Sequence, residues 1–133
     1  MSSAKLLVLS VQNRPGAVAD VLGALSDAGI GLRSILGWAP QNVLQLVVTD
    51  PAAAGDVLAG HGIAFTEHDA QIVELANQPG AIHTCLAALA RDAINLHSLS
   101  GFASADGQVS YVVWTAETGG HPSSFPEGEA YSI

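Results

Sequence analysis

The phrase Asn-x-Pro-Gly-Ala occurs twice in this 133-residue chain, first as Asn13, Arg14, Pro15, Gly16 and Ala17 and again, 64 positions later, at residues 77–81. Each copy follows a short apolar run and precedes apolar residues with helical spacing, so it lies where a strand passes into a helix. Free N–H groups and the dipole at a helix start favour a small anion such as a carboxylate. The glycine lets a ligand approach the backbone, and an asparagine amide both donates and accepts hydrogen bonds.

The same residue types also have a purely structural use. Asparagine is common in turns because its side chain bonds nearby backbone groups, and Pro-Gly suits a tight turn. Two interpretations of the phrase therefore stay open: a carboxylate-binding loop, or a turn that binds nothing.

The other reactive side chains form no catalytic or metal-binding pattern. The histidines lack the i, i+4 spacing and the His-Glu motif of zinc sites, and the lone Cys85 excludes an internal disulfide. Cys85 falls on the apolar face of a predicted helix and is expected to be a core residue. We predict no catalytic residue, no metal and no cofactor, although a ferredoxin-like scaffold alone does not exclude a small enzyme. The histidines in question are His61, His68, His83, His97 and His121.

Composition limits the partners. Apolar residues make up 49% of the chain and charged residues 12%, with a net charge of −8 and only four basic side chains. So few cations form no basic patch, which argues against nucleic acid and anionic membranes. No apolar run reaches the ~18 residues needed to span a bilayer and no signal peptide is visible, so we expect a cytoplasmic protein. The apolar composition predicts that a second copy covers part of the surface, as in a homodimer.

The first copy reads as strand, helix, strand, strand, helix, strand. Pro15 suits the first position of a helix, and Asp50 is a capping residue followed by a proline. The predicted segments are strand Lys5–Val11, helix Ala17–Ala28, strands Leu32–Ala39 and Val43–Thr49, a helix from Pro51 to about Gly60, and a short strand Ile63–Thr66.

The second copy follows the same order with one departure. Residues 117–127, where the second helix is due, contain two glycines and two prolines, so this helix is expected to be absent or shortened. The predicted segments are strand Ile72–Leu75, helix Ala81–Arg91, strands Leu96–Ala103 and Val109–Thr115, and a last strand ending at Ile133. The sequence thus predicts an α+β chain of two ferredoxin-like βαββαβ repeats side by side, over residues 4–69 and 70–133.

Two copies in register of a strand, the Asn-x-Pro-Gly-Ala phrase, a helix and a serine-bearing strand resemble the ACT domain. The resemblance covers both copies, apart from the stretch after Thr115. It implies a regulatory fold that binds small molecules, commonly amino acids, at the junction of paired domains. The strand-to-helix loop of one domain and a residue just beyond the first helix of its neighbour hold the ligand in that family.

Carried over residue by residue, the resemblance implies two unequal sites. One joins the loop Asn13–Ala17 to Asn95, which follows the helix of the second copy. The other joins the loop containing Asn77, Gly80 and Ala81 to Gly31. The first site has two side-chain amides and the second has one, so we expect the first to be the competent one.

The leading hypothesis is a non-catalytic regulatory module that binds an amino acid and acts through self-association or an unidentified protein partner. The alternative is a protein that binds no ligand and uses the fold for interaction or oligomerisation through its sheet edges.

Overall fold

The computed structural model describes residues 2–116 and 130–131, which belong to two compact units. The first unit is Lys5–His68, and the second joins residues 2–4 to the described residues from Asp69 onward. The elements are β1 (Ser2–Ser10), α1 (Ala17–Asp27), β2 (Leu32–Trp38), β3 (Val43–Val48), α2 (Pro51–Gly60), β4 (Phe65–Ala76), α3 (Ala81–Arg91), β5 (Leu96–Ala103), β6 (Val109–Ala116) and β7 (Ala130–Tyr131). The predicted α+β, ferredoxin-like class is confirmed.

In the first unit, two helices cover one face of an antiparallel sheet of order β2-β3-β1. Alternate residues of β1 and β3 point to that face, where α1 and α2 contribute their apolar sides. The Asp50 carboxylate caps α2 by accepting from the Ala53 N–H at 3.1 Å, and Pro51 occupies the first turn as predicted. The buried core consists of Leu7, Leu9, Val21, Leu25, Ile30, Leu44, Leu46, Val48, Ala54 and Leu58.

In the second unit, α3 packs on an antiparallel sheet of order β4-β6-β5, and the short β7 pairs with β4. The predicted loss of the second helix over residues 117–127 lies outside the described residues, as does the final strand beyond Tyr131. The buried core consists of Val73, Leu75, Cys85, Leu89, Val112 and Trp114.

The chain between the two copies is a strand rather than a polar connection. Two separate strands were predicted, Ile63–Thr66 and Ile72–Leu75, but β4 runs without a break from Phe65 to Ala76. Nothing in this range ends a strand, because it contains neither glycine nor proline. The polar side chains fit the alternation of a strand, and Thr66 bonds His68 at 3.0 Å across one face.

The buried Cys85 provides a first test of this core. Burial raises the pKa of its thiol to about 11, so at pH 8 on the order of 0.1% is thiolate, the reactive form. We expect Ellman's reagent to leave the native thiol unmodified and to titrate one thiol per chain in denaturant. Modification of the native protein at the rate of a free thiol would contradict the packing described for α3.

Candidate functional site

The turn at the first Pro-Gly phrase explains why it contains proline and glycine. The N–H of Ala17 donates to the carbonyl of Arg14 at 3.3 Å, and Gly16 has a φ of 85°. A type II turn requires a positive φ at its third residue and favours proline at its second. Helix α1 therefore begins at Ala17, and the prediction that Pro15 occupies the first helical position is wrong.

The second phrase forms the same turn. The N–H of Ala81 donates to the carbonyl of Gln78 at 3.1 Å, and Gly80 has a φ of 87°. An L-residue with a Cβ is strained at such a φ, which accounts for a glycine in both copies. The turn thus requires the glycine and favours the proline, so the Pro-Gly pair is explained without a ligand.

The first turn of α1 has open hydrogen-bond donors. No side chain of a described residue caps α1, whereas Asp50 caps α2. Within the part of the chain that the structure describes, the N–H groups of Val18 and Ala19 have no acceptor. Such donors, at the positive end of the helix dipole, suit a carboxylate.

The Asn77 side chain holds its own hairpin together. Its Nδ2 donates to the carbonyl of Gly107 at 3.0 Å, and its Oδ1 accepts from the Ser110 hydroxyl at 2.8 Å. Asn77 reaches both groups because it directly follows Ala76, the last residue of β4, which pairs with Val109. In the second unit, the asparagine of the phrase therefore has the structural role.

Asn13 is placed differently with respect to its strand. The pairing of β1 with β3 ends at Ser10, opposite Val43, so Val11 and Gln12 separate Asn13 from the strand. In the second unit, the two residues before the asparagine, Leu75 and Ala76, still pair with β6. Among residues 2–116 and 130–131, the exposed Asn13 side chain has no hydrogen-bond partner. Its amide is available to a ligand, unlike that of Asn77.

Arg14 gives the Asn13–Ala17 loop a positive charge, whereas the neutral Gln78 occupies the same position in the second phrase. The guanidinium folds back over the turn: Nε donates to Gln12 Oε1 at 3.1 Å, Nη1 to the Pro15 carbonyl at 3.2 Å and Nη2 to Asp20 Oδ2 at 2.9 Å. The side chains of Arg14 and Asp20 are 51% and 68% exposed. An exposed ion pair of this kind is worth at most about 1 kcal/mol, so a ligand carboxylate can displace Asp20.

Two concave surfaces flank this loop within the first unit. A larger cleft of about 560 Å³ includes Asp20 and His61. A smaller cavity of about 220 Å³ lies against Asn13 and the start of α1. It combines amide and guanidinium groups with apolar side chains, and its lining comprises Val11, Gln12, Asn13, Arg14, Val18, Gly37, Trp38, Asn42 and Val43.

The aromatic residue beside the smaller cavity, Trp38, differs in its surroundings from its counterpart in the second unit. Trp38 is 59% exposed and faces Val43 across the β2–β3 pair. Phe102, its sequence counterpart in the second unit, stacks on Tyr111 with ring centroids 5.1 Å apart. Within the described residues, Trp38 has no such aromatic partner. Asn13, Arg14 and Trp38 thus line the same cavity, where Arg14 is already paired with Asp20.

Two further predicted site residues, Gly31 and Asn95, already have contacts within the protein. The Gly31 N–H donates to Thr49 Oγ1 at 3.0 Å, and a Cβ there would lie 3.2 Å from Thr49 Cγ2, so a larger residue at Gly31 presses on Thr49. Asn95, just after α3 in the second unit, already has an interaction partner. Gln12, Trp38 and Asn42 line the smaller cavity but were not predicted as site residues from the sequence. The two hairpin loops differ in length, and this was the only feature of the sequence that indicated a difference between the two units here.

The described part of the chain contains no group of three or more histidine, cysteine or acidic residues arranged to hold a metal ion. None of its helices has the length and apolar character needed to cross a membrane.

Comparison with known proteins gives structural matches only. No family model and no curated protein matches the chain. A protein from Bacteroides thetaiotaomicron is similar with a TM-score of 0.78 and 24% identity, over 86% of this chain and 80% of that one. The ligand-free regulatory subunit of aspartate kinase from Thermus thermophilus is similar with a TM-score of 0.61 and 17% identity, over 88% and 85%.

A structure of aspartokinase alpha and beta subunits is similar with a TM-score of 0.63 and 20% identity, over 85% of this chain and 82% of that one. At this level of identity the likeness concerns the fold alone. The chain therefore has the ACT fold.

Proposed function

We propose that this protein is a non-catalytic regulatory module of two ACT repeats, residues 4–69 and 70–133, that binds an amino acid at the Asn13–Ala17 loop. The observation that carries the proposal is the Asn13 amide, which has no partner among the described residues and lies beside a cavity of about 220 Å³. That volume lies below the ~300 Å³ of pockets for drug-sized ligands, which suits a small metabolite. Similarity in fold to an aspartate kinase regulatory subunit agrees with a regulatory role.

The loop supplies groups for both ends of an amino acid. The open N–H groups of Val18 and Ala19 and the Arg14 guanidinium attract the carboxylate. The amide oxygen of Asn13 accepts from the ammonium group. The second unit has a neutral Gln78 in place of Arg14, and its asparagine is occupied, so we assign the ligand to the first unit.

Thermal denaturation in the presence of each common amino acid tests the proposal. A ligand that binds only the folded state stabilises it by about 2.7 kcal/mol at a concentration 100 times its Kd, so at least one amino acid is expected to raise the melting temperature. If none does so at millimolar concentration, the proposal fails and the alternative of a ligand-free interaction protein gains support.

Replacement of Arg14 by glutamine tests the role of the loop, because it gives the first phrase the same residues as the second. We expect the affinity for the amino acid to fall about tenfold, since a charge-assisted contact to the carboxylate is lost. Stability should change by less than about 1 kcal/mol, because the ion pair with Asp20 is exposed. Arg14→Lys is the matched control that retains the charge. Calorimetric titration gives the affinity, and an unchanged affinity in Arg14→Gln would exclude Arg14 from the site.

The alternative function also has an observation in its favour. The strand β2 occupies the outer position of its sheet order and exposes Ile35, Leu36 and Trp38, at 48%, 42% and 59%. Apolar side chains on an outer strand favour association with another chain. Sedimentation equilibrium with and without the stabilising amino acid distinguishes a dimer that forms regardless of ligand from one that depends on it.

A further inference from the structure

We propose that the cavity beside Asn13 selects amino acids with an apolar side chain, and that the indole of Trp38 is the surface on which this side chain lies. The inference rests on the proposed function and adds the chemical class of the ligand. It follows from the charges and the apolar side chains among the residues that line the cavity.

The residues that line the cavity carry charge of one sign only. Arg14 is its only charged lining residue within the described chain, and no aspartate or glutamate contributes to the lining. A cationic ligand side chain would therefore find no carboxylate among the lining residues, and burying an unpaired charge is costly. An anionic side chain would compete with the ligand's own carboxylate for the same guanidinium. The electrostatics thus favour a ligand whose side chain is uncharged.

Four of the residues that line the cavity have large apolar side chains. Val11, Val18 and Val43 line it together with Trp38. The indole is 59% exposed and has no aromatic partner in the described chain. A branched aliphatic or aromatic ligand side chain that contacts these residues removes its own apolar surface and that of the indole from water. Burial of apolar surface is the dominant favourable contribution to the free energy of such contacts. Gln12 and Asn42 also line the cavity, but a polar side chain that lies on the three valines and the indole loses its hydration there.

The chain offers an optical probe of this contact. Its two tryptophans are Trp38, which is largely exposed, and Trp114, which is 1% exposed. A ligand that covers Trp38 is expected to shift the emission to shorter wavelength, since Trp114 is already shielded from water. Trp38→Phe keeps an aromatic surface and should bind the ligand without the shift.

Titration calorimetry with near-isosteric pairs tests the inference on the whole chain. L-Leucine is expected to bind at least about tenfold more tightly than L-asparagine, and L-valine more tightly than L-threonine, because buried apolar surface drives the contact. L-Lysine and L-glutamate should bind more weakly than L-leucine. Trp38→Ala should lower the affinity for L-leucine at least about fivefold. Phe102→Ala is the control, because Phe102 does not line the cavity.

The outcomes separate this inference from the proposed function. If a charged or amide amino acid binds more tightly than L-leucine, or if Trp38→Ala keeps the affinity for L-leucine, the assignment of an apolar side chain is overturned while amino acid binding stands. If no amino acid binds the unmodified chain, both this inference and the proposed function are overturned.

Discussion

Replacement of Asn77 by alanine is expected to destabilise the protein by about 1–3 kcal/mol, whereas the same replacement at Asn13 should leave stability unchanged. The two residues occupy equivalent positions in the repeated phrase. Among the residues that the structure describes, only the Asn77 side chain of the two is hydrogen bonded, to the Gly107 carbonyl and the Ser110 hydroxyl. Ser110 is 4% exposed, so its hydroxyl loses a partner that water replaces poorly. Asn13 has no partner within the described residues to lose.

Urea denaturation of both variants measures the difference, with the midpoint as the readout and the slope as a check on two-state behaviour. Ser110→Ala completes a double-mutant cycle: if the Asn77–Ser110 bond carries the effect, the two losses are less than additive. Ligand titration of Asn13→Ala is the complementary measurement, and a weaker affinity with unchanged stability is expected. Equal destabilisation by the two asparagine replacements would contradict the division of roles between the copies.

This asymmetry shows where sequence reasoning succeeds on this chain. Helix α3 and strand β5 have the predicted bounds, Ala81–Arg91 and Leu96–Ala103. Both are defined by local signals, namely a Pro-Gly turn, apolar residues at helical spacing and alternation in the strand. Asp50 and Pro51 fixed the start of α2 in the same way. Signals contained within a few residues were sufficient there.

The register of the strands depends on distant residues and was not predictable in this way. The two Asn-x-Pro-Gly-Ala phrases are 64 positions apart in the sequence. The last strand pairs before them, Ser10–Val43 and Ala76–Val109, are 66 positions apart. The hairpin loop of the second copy is two residues longer, and this difference is visible in the sequence. That Asn13 lies beyond the end of its strand follows only from the pairing of β1 with β3. The same applies to Trp38, because its exposure depends on which β3 residue it faces.

Replacement of Gly101 by alanine is expected to destabilise the protein by about 1–3 kcal/mol, the range for overpacking a well-packed site. A Cβ at Gly101 would lie 2.8 Å from the backbone carbonyl oxygen of Tyr111, on the neighbouring strand β6. No rotamer change relieves a contact with backbone, so β5 must move away from β6, to which it is bonded along its length.

Gly37 supplies the matched control, because it occupies the same sequence position in the first copy. A Cβ there would lie 3.8 Å from Leu44 Cδ1, an ordinary contact. Gly37→Ala is therefore expected to be neutral or stabilising by about 0.4–1 kcal/mol, since alanine restricts the unfolded chain more than glycine does. The two replacements should thus shift the urea midpoint in opposite directions or by clearly different amounts. Equal destabilisation would mean that glycine is required at this position of both sheets for another reason, and the close approach of β5 to β6 would not explain Gly101.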